Sequence, residues 1–121
     1  GGGGASGARG SELLRALTPE HVCKVHAALP LHKEIPKGEY RREVVTGTGN
    51  HVATYRCFVP HEEVPAMMTR MLAHLHSEGV RRRGSVLGAY LLYSVLVYFI
   101  HPFKDGNGRT ARVLANSILK A

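Results

Sequence analysis

The stretch HPFKDGNGRTAR, which runs from His101 to Arg112, decides how the rest of the chain is interpreted. It separates two segments with helical apolar spacing, so it predicts a tight turn between two helices. Pro102 disfavours helical geometry at His101, and the first of these helices should therefore stop there. We expect the second helix to open at about Arg109, with a buried face that continues through Val113, Leu114, Ser117 and Ile118.

Gly106, Asn107 and Gly108 form the centre of this turn. Two glycines with an asparagine between them allow positive φ angles and let successive N–H groups point the same way. At the start of a helix, such N–H groups and the helix dipole both favour negative charge. The turn therefore predicts an anion nest, and phosphate is its natural occupant.

Arg109 and Arg112 lie three residues apart, so they should share one face of the second helix. Cations in a first helical turn oppose the helix dipole, at a cost of roughly a few tenths of a kcal/mol. A bound polyphosphate would remove this conflict, and the guanidinium fork suits phosphate oxygens. Both arginines are therefore candidate phosphate-binding residues.

Asp105 and His101 each allow two interpretations. An aspartate before a glycine is most often a turn residue that bonds its own backbone, whereas beside a phosphate nest it can take Mg²⁺. A histidine at a helix end is commonly structural, whereas next to a phosphate nest and a metal carboxylate it can act as a general base. Asp105 is therefore a candidate metal ligand and His101 a candidate catalytic base.

Other patterns share the same letters. Gly106 to Ala111 also fits the G-x-G-x-x-A pattern of dinucleotide-binding folds, but the preceding run is too long for a usual strand. A calcium loop fails because Arg109 and Asn116 stand where ligands belong. A DNA-reading helix-turn-helix stays open as an alternative, although the second helix is apolar after Arg112 and offers few base-reading side chains.

Composition places limits on the class of protein. The 121 residues fit one domain, and 16 Lys plus Arg against 9 Asp plus Glu give a net charge of +7, which favours anionic partners. Cys23 and Cys57 match no metal-ligand spacing. The longest apolar run, Val86 to Ile100, is shorter than the roughly 20 residues that a membrane span needs. With no signal peptide or membrane segment in the sequence, the cytoplasm is the default expectation.

The spacing of apolar residues predicts a mainly α fold with one β-hairpin. Residues 1–11 are Gly-rich and are expected to form a disordered tail, followed by one domain over residues 12–121. Thr18 and Pro19 predict the start of a helix that ends near Pro30. The hairpin is predicted from Tyr40–Val45 and Val52–Val59, helical spacing resumes at Glu62, and Val86–Ile100 is apolar nearly all round, as in the middle of a bundle.

The stretch from His101 to Arg112 resembles the signature of the Fic (Fido) family, H-P-F-x-[D/E]-G-N-G-R-x-x-R, and every fixed position matches. Upstream, Leu17–Pro19 looks like the family's early helix. Gly38–Arg41 is similar to its G-x-[Y/F]-R start of a β-hairpin called the flap, and Val59–Met68 to the helix start that follows. The resemblance covers the chain apart from its N-terminal tail.

The resemblance implies a protein adenylyltransferase, which moves AMP from ATP to a Ser, Thr or Tyr hydroxyl of another protein. His101 would deprotonate that hydroxyl, and Asp105 would hold Mg²⁺ between the α- and β-phosphates. The backbone N–H groups of Gly106–Gly108 would cradle the phosphates, while Arg109 and Arg112 would bind the β- and γ-phosphates. The expected partners are ATP and a protein substrate, with self-modification as a further activity.

The resemblance also implies a Fic-type helical bundle in which Pro102 and Phe103 are structural, and a flap, at about Val44 to Val59, that docks the protein substrate. In this family further helices follow the motif helix and complete the adenine pocket, so we expect a truncated core without them. Pro60-His61 replaces the family's Pro-Pro, and no inhibitory [S/T]-x-x-x-E-[G/N] motif is found. Removal of AMP, another nucleotide donor such as UTP or CDP-choline, and a basic nucleic-acid-binding module remain alternatives.

Overall fold

The computed structural model describes residues 2–42 and 58–121, with side chains described from residue 9 onward within the first helix. The helices are α1 (Gly2–Ala16), α2 (Pro19–Ala27), α3 (Val64–Leu75), α4 (Glu78–Arg81), α5 (Ser85–Val95) and α6 (Asn107–Lys120). A 3₁₀ turn, His61–Glu63, precedes α3, and a π-helical turn, Leu96–Ile100, continues α5. The described part of the chain is helical and contains no strand, which confirms the mainly α fold. The predicted hairpin falls mostly on residues 43–57, outside the described residues.

The second helix begins where the sequence predicts. Thr18 has extended backbone angles, and its hydroxyl accepts a hydrogen bond from the His21 N–H at 3.1 Å. Pro19 occupies the first turn, where a missing N–H costs nothing. This N-cap fixes the start of α2, and one buried face of the helix, with Val22 and His26, then points into the bundle.

α5 packs against α1, α3 and α6, and the core lies between these helices. α5 lies among the other helices, as its apolar sequence predicts, but one side of it is uncovered, because Val86 is 69% exposed and Tyr90 is 66% exposed. Apolar composition indicates which residues can be buried, but it does not supply a neighbour for every face of the helix. The central core residues are Val22, Val64, Met68, Leu72, Leu75, Leu92, Leu96, Ile100, Phe103, Ala111, Leu114 and Ile118.

The Gly-rich N-terminal stretch departs from the expected disordered tail, because α1 already begins at Gly2. Gly10 is buried, and a Cβ there would lie 2.6 Å from the backbone oxygen of Ile118 in α6. Gly88 of α5 likewise leaves room for Leu14, whose Cδ2 would lie 2.2 Å from an added Cβ. These two glycines permit close helix packing, a role that low sequence complexity alone does not reveal.

Within the described ranges, no helix combines the length and apolar character needed to cross a bilayer.

Candidate active site

The end of the α5 segment is irregular just where the predicted base lies. The N–H of His101 donates to the carbonyl of Leu96 at 2.8 Å, an i to i−5 bond that closes a π-helical turn. His101 itself is left-handed, with φ 49° and ψ 61°, a conformation that costs a non-glycine residue energy. The predicted helix stop before Pro102 is confirmed, and π-turns of this kind are frequent at functional sites.

The imidazole of His101 is held in one orientation. Its Nδ1 lies 3.1 Å from the Val97 carbonyl, which can only accept, so Nδ1 carries the proton and Nε2 has a free lone pair in the neutral ring. The ring stacks on Phe58, with centroids 4.0 Å apart and planes 9° apart. Burial lowers the pKa of His101, and the nearby charge of Arg41 lowers it further. The ring is therefore neutral near pH 7, as a proton acceptor must be.

Arg41 fastens the backbone around His101. It is 4% exposed, and its guanidinium donates to the carbonyls of His101 at 2.6 Å, Ile100 at 3.0 Å, and Val59. The backbone N–H of Arg41 also donates to the Pro102 carbonyl, at 2.8 Å. Burial lowers the pKa of Arg41, although an arginine remains charged at physiological pH. This side chain thus satisfies carbonyl groups that the helix end leaves unpaired.

Phe103 anchors the loop between α5 and α6 in the core, because its side chain is fully buried. Pro102 is buried beside it. The side-chain amide of Asn107 bonds Phe103 twice. Its Oδ1 accepts from the Phe103 N–H at 2.9 Å, and its Nδ2 donates to the Phe103 carbonyl at 2.8 Å. The side chain of Asn107 therefore holds the loop, and these bonds do not use its backbone N–H, which lies at the start of α6.

Only the first of the two glycines in the turn has the positive φ that the sequence predicts for both. Gly106 has φ 85°, but Gly108 has an ordinary helical φ, because α6 begins at Asn107 and not at about Arg109. The Gly106 N–H donates to the Asp105 carboxylate at 2.8 Å. The N–H groups of Asn107, Gly108 and Arg109 lie in the first turn of α6, where N–H groups have no intrahelical partner. Three donors at a helix N-terminus therefore form the candidate anion site, which lies one residue further along the chain than predicted.

A cavity of about 480 Å³ opens above this turn. It brings together every residue predicted to act in catalysis, metal binding or phosphate binding: His101, Asp105, Gly106, Asn107, Gly108, Arg109 and Arg112. Lys104 also lines it, together with Pro30, Leu31 and His32 from the segment after α2, which sequence analysis did not identify. A Cβ on Gly108 would lie 3.0 Å from Nη1 of Arg112, so the absence of a side chain there gives that guanidinium its place over the first turn.

The charge of the cavity is mainly positive. Arg109, Arg112 and Lys104 are exposed cations of its lining. Two guanidinium groups and the N-terminus of α6 thus face one space with Asp105 as the acidic residue of its lining. This arrangement suits a polyanion.

Asp105 fits a magnesium ion that arrives with phosphates. Within the described ranges, no three His, Cys, Asp or Glu side chains cluster as a metal cage would require. Mg²⁺ commonly uses one or two carboxylates together with substrate phosphates and water. Asp105 is exposed at the cavity, and only one of its carboxylate oxygens is engaged by the Gly106 N–H. A single carboxylate beside a phosphate site matches that mode of binding.

His26 lies beneath the turn and was not identified from the sequence. It is fully buried in α2, and its ring stacks on Phe103 with centroids 3.8 Å apart and planes 9° apart. Burial lowers the pKa of His26. The spacing between His21 and His26 does not indicate this position, because the hydrogen-bond partners of His26, which are Asp105 and Gly38, lie 79 and 12 residues away along the chain.

The family model of the Fic/DOC family matches residues 16–119. The chain belongs to the Fic/DOC family. This confirms the resemblance drawn from residues 101–112. The Protein adenylyltransferase Fic of Drosophila erecta is 34% identical over 104 residues, which are 85% of this chain and 20% of the relative. The protein of the same name from Drosophila ananassae is 35% identical, with the same coverage. This Fic chain thus spans about a fifth of the length of these relatives.

A solved structure shares the fold. A Fic domain containing signaling protein from Bacteroides thetaiotaomicron is 28% identical and has a TM-score of 0.69. The match covers 96% of this chain and 46% of that protein. The helical arrangement that carries the site is therefore the Fic-domain fold.

Proposed function

We propose that this Fic chain forms the catalytic core of a protein adenylyltransferase, which transfers AMP from ATP to a Ser, Thr or Tyr hydroxyl of a protein. The observation that carries the proposal is the oriented, neutral imidazole of His101 at a cavity that also holds the N-terminus of α6 and two arginines. A proton acceptor and a polyphosphate site are the two groups that this reaction needs. The adenylyltransferase names of the relatives support the same activity.

The chemical step begins at Nε2 of His101. This nitrogen accepts the proton of the target hydroxyl as the hydroxyl oxygen attacks the α-phosphorus of ATP. The bond between the α-phosphorus and the bridging oxygen breaks, and pyrophosphate leaves with that electron pair. The Nδ1–H bond to the Val97 carbonyl stabilises the imidazolium that results. General-base catalysis of this kind contributes about 10²–10⁴-fold in rate.

The phosphates are held by the start of α6. Backbone N–H groups of Asn107 and Gly108 donate to phosphate oxygens, and the helix dipole favours their charge. Arg109 binds the β-phosphate region and Arg112 the γ-phosphate, each through its guanidinium fork. Asp105 would hold Mg²⁺, which supplies positive charge that stabilises the leaving pyrophosphate.

The protein substrate approaches from the side of Phe58, which stacks on the base. Phe58 directly follows residues 43–57, where the flap is predicted from the sequence. We propose that the segment from about Val44 to Val59 docks the protein substrate, as the family resemblance implies. The chain itself is the first substrate to test.

Transfer of label from α-labelled ATP to protein tests the activity. Label from ATP carrying the tracer on the α-phosphate should become covalently attached in the presence of Mg²⁺, and label on the γ-phosphate should not. A thermal-unfolding comparison separates the nucleic-acid alternative, because Mg-ATP should raise the melting temperature and duplex DNA should not. Stabilisation by DNA alone would contradict the proposal.

A further inference from the structure

The ring of His26 joins two segments that border the site. Its Nε2 lies 2.8 Å from the backbone oxygen of Asp105, and its Nδ1 lies 2.9 Å from the backbone N–H of Gly38. A carbonyl only accepts and an N–H only donates. The ring must therefore be the neutral tautomer with its proton on Nε2, so that one nitrogen donates to Asp105 while the other accepts from Gly38.

The bond to Asp105 acts on the phosphate turn. Asp105 precedes the left-handed Gly106, and the Asp105 carboxylate accepts from the Gly106 N–H. The His26 ring also lies directly under this glycine, since a Cβ on Gly106 would be 3.3 Å from His26 Cδ2. Both the peptide orientation of Asp105 and the space under Gly106 thus depend on the ring.

The bond to Gly38 acts on the other side of the site. Gly38 has φ 70°, and a Cβ there would lie 2.9 Å from the Cys23 carbonyl, so the backbone approaches α2 closely. Three residues later, Arg41 holds the carbonyls of Ile100 and His101. A fixed Gly38 therefore sets the start of the segment that leads to Arg41.

We propose that His26 is a positioning residue that fixes the phosphate turn through Nε2 and the segment leading to Arg41 through Nδ1. The inference deepens the proposed function and rests on it for the nucleotide. Since the two nitrogens serve different segments, the two effects should be separable. A ring that served only as core packing would give one common loss of stability, because stacking on Phe103 does not distinguish its nitrogens.

Two amide substitutions separate the two bonds. The amide of asparagine reaches the position of Nδ1, so His26→Asn keeps an acceptor for Gly38 and loses the donor to Asp105. The longer glutamine reaches the position of Nε2, so His26→Gln keeps a donor to Asp105 and loses the acceptor for Gly38. His21→Gln, an exposed histidine of the same helix, is the matched control.

Amide hydrogen exchange by NMR, in the full chain without nucleotide, reports each bond. In His26→Asn the Gly38 amide should stay protected and the Gly106 amide should exchange about tenfold faster. In His26→Gln the pattern should reverse, and His21→Gln should match the wild type. Parallel changes at both amides in both variants, or no change at either amide, would overturn the inference.

Mg-ATP affinity should follow the Gly106 amide. We expect about a tenfold rise in Kd for His26→Asn, equivalent to about 1.4 kcal/mol, and less than a threefold rise for His26→Gln. Equal losses of affinity in the two variants would overturn the inference. If the wild type itself bound no Mg-ATP, the proposed function would fail, and the exchange pattern would still decide the role of His26.

A measurement on the wild-type chain requires no variant to fold. The nitrogen resonances of the His26 ring should report the Nε2–H tautomer, with Nδ1 accepting a hydrogen bond. A ring that is protonated on Nδ1 alone at neutral pH would contradict the proposal, because it could then accept nothing from Gly38.

Discussion

Replacing Gly106 with alanine perturbs the phosphate turn at a left-handed position, and Gly84, a second glycine with positive φ, offers a control outside the cavity. Gly106 has φ 85° and ψ 10°, where alanine is strained by about 1–2 kcal/mol. Gly84 has φ 96° and ψ 166°, a region that glycine alone normally adopts, where alanine is strained by about 1–3 kcal/mol. A Cβ on Gly84 meets nothing within 4 Å, whereas one on Gly106 meets Leu31 at 3.1 Å and His26 at 3.3 Å. Both variants therefore carry backbone strain, and only Gly106→Ala adds contacts beneath the turn.

The neighbours of Gly106 differ in how easily they move. Leu31 can rotate its terminal methyl groups, but the His26 ring is fixed by two hydrogen bonds and by its stacking on Phe103. The turn must therefore shift, and overpacking of this kind costs about 1 kcal/mol or more beyond the backbone strain. We expect Gly106→Ala to lose about 2–3 kcal/mol of unfolding free energy and Gly84→Ala about 1–3 kcal/mol.

Nucleotide binding separates the two variants more sharply than stability does. Urea unfolding gives the stability of each, and isothermal titration calorimetry with Mg-ATP gives the affinity. Gly106→Ala should raise Kd about tenfold, because the N–H groups of Asn107 and Gly108 move with the turn, whereas Gly84→Ala should leave Kd unchanged. Equal Mg-ATP affinities for the two folded variants would refute this reasoning and make the turn a simple connector.

The remaining predictions concern the base and its support. His101→Ala should lower label transfer from α-labelled ATP by about 10²–10⁴-fold while leaving ATP affinity nearly unchanged; labelling equal to that of a His21→Ala control would exclude His101 as the base. Because burial lowers the pKa of His101 and the neutral ring is the active form, the transfer rate should be constant near pH 7 and fall only below pH 6.5; an acidic limb centred above 6.5 would contradict this assignment. Arg41→Ala should destabilise the chain by about 2–4 kcal/mol, since it leaves buried carbonyl groups unpaired, whereas the exposed Arg42→Ala should change stability by less than about 0.5 kcal/mol; similar unfolding curves for the two would show that Arg41 supports nothing.

The candidate site residues could be found from the sequence because they are contiguous. Spacing within residues 101–112 places the base, the acidic residue, the turn and the arginines around one helix junction, and the structure gathers all of them at one cavity. Their chemical roles stay predictions. The starts of α2 and α3 were likewise indicated by local signals, such as the Thr18 cap.

Contacts between distant parts of the chain could not be predicted in the same way. His26 and Asp105 are 79 residues apart, and Arg41 and His101 are 60 apart, so no local pattern connects them. The packing of Gly10 in the N-terminal helix was likewise missed, because its close approach to Ser85 of α5 and Ile118 of α6 depends on the shape of those helices. Local spacing indicates the secondary structure that a segment prefers, whereas these features depend on which residues of distant segments pack against it.

The π-helical turn at Leu96–Ile100 sets the direction in which the base leaves the helix. An α-helix advances about 100° per residue, so a π-turn amounts to one extra residue accommodated without unwinding the helix. If the same residues were wound as a regular α-helix with i to i−4 bonds, the attachment point of His101 would lie about 100° further around the helix axis. A Fic chain that retained every residue from His101 to Arg112 but lacked the π-turn would direct its imidazole away from the phosphates. The winding of this turn is therefore as much a determinant of activity as the motif that follows it.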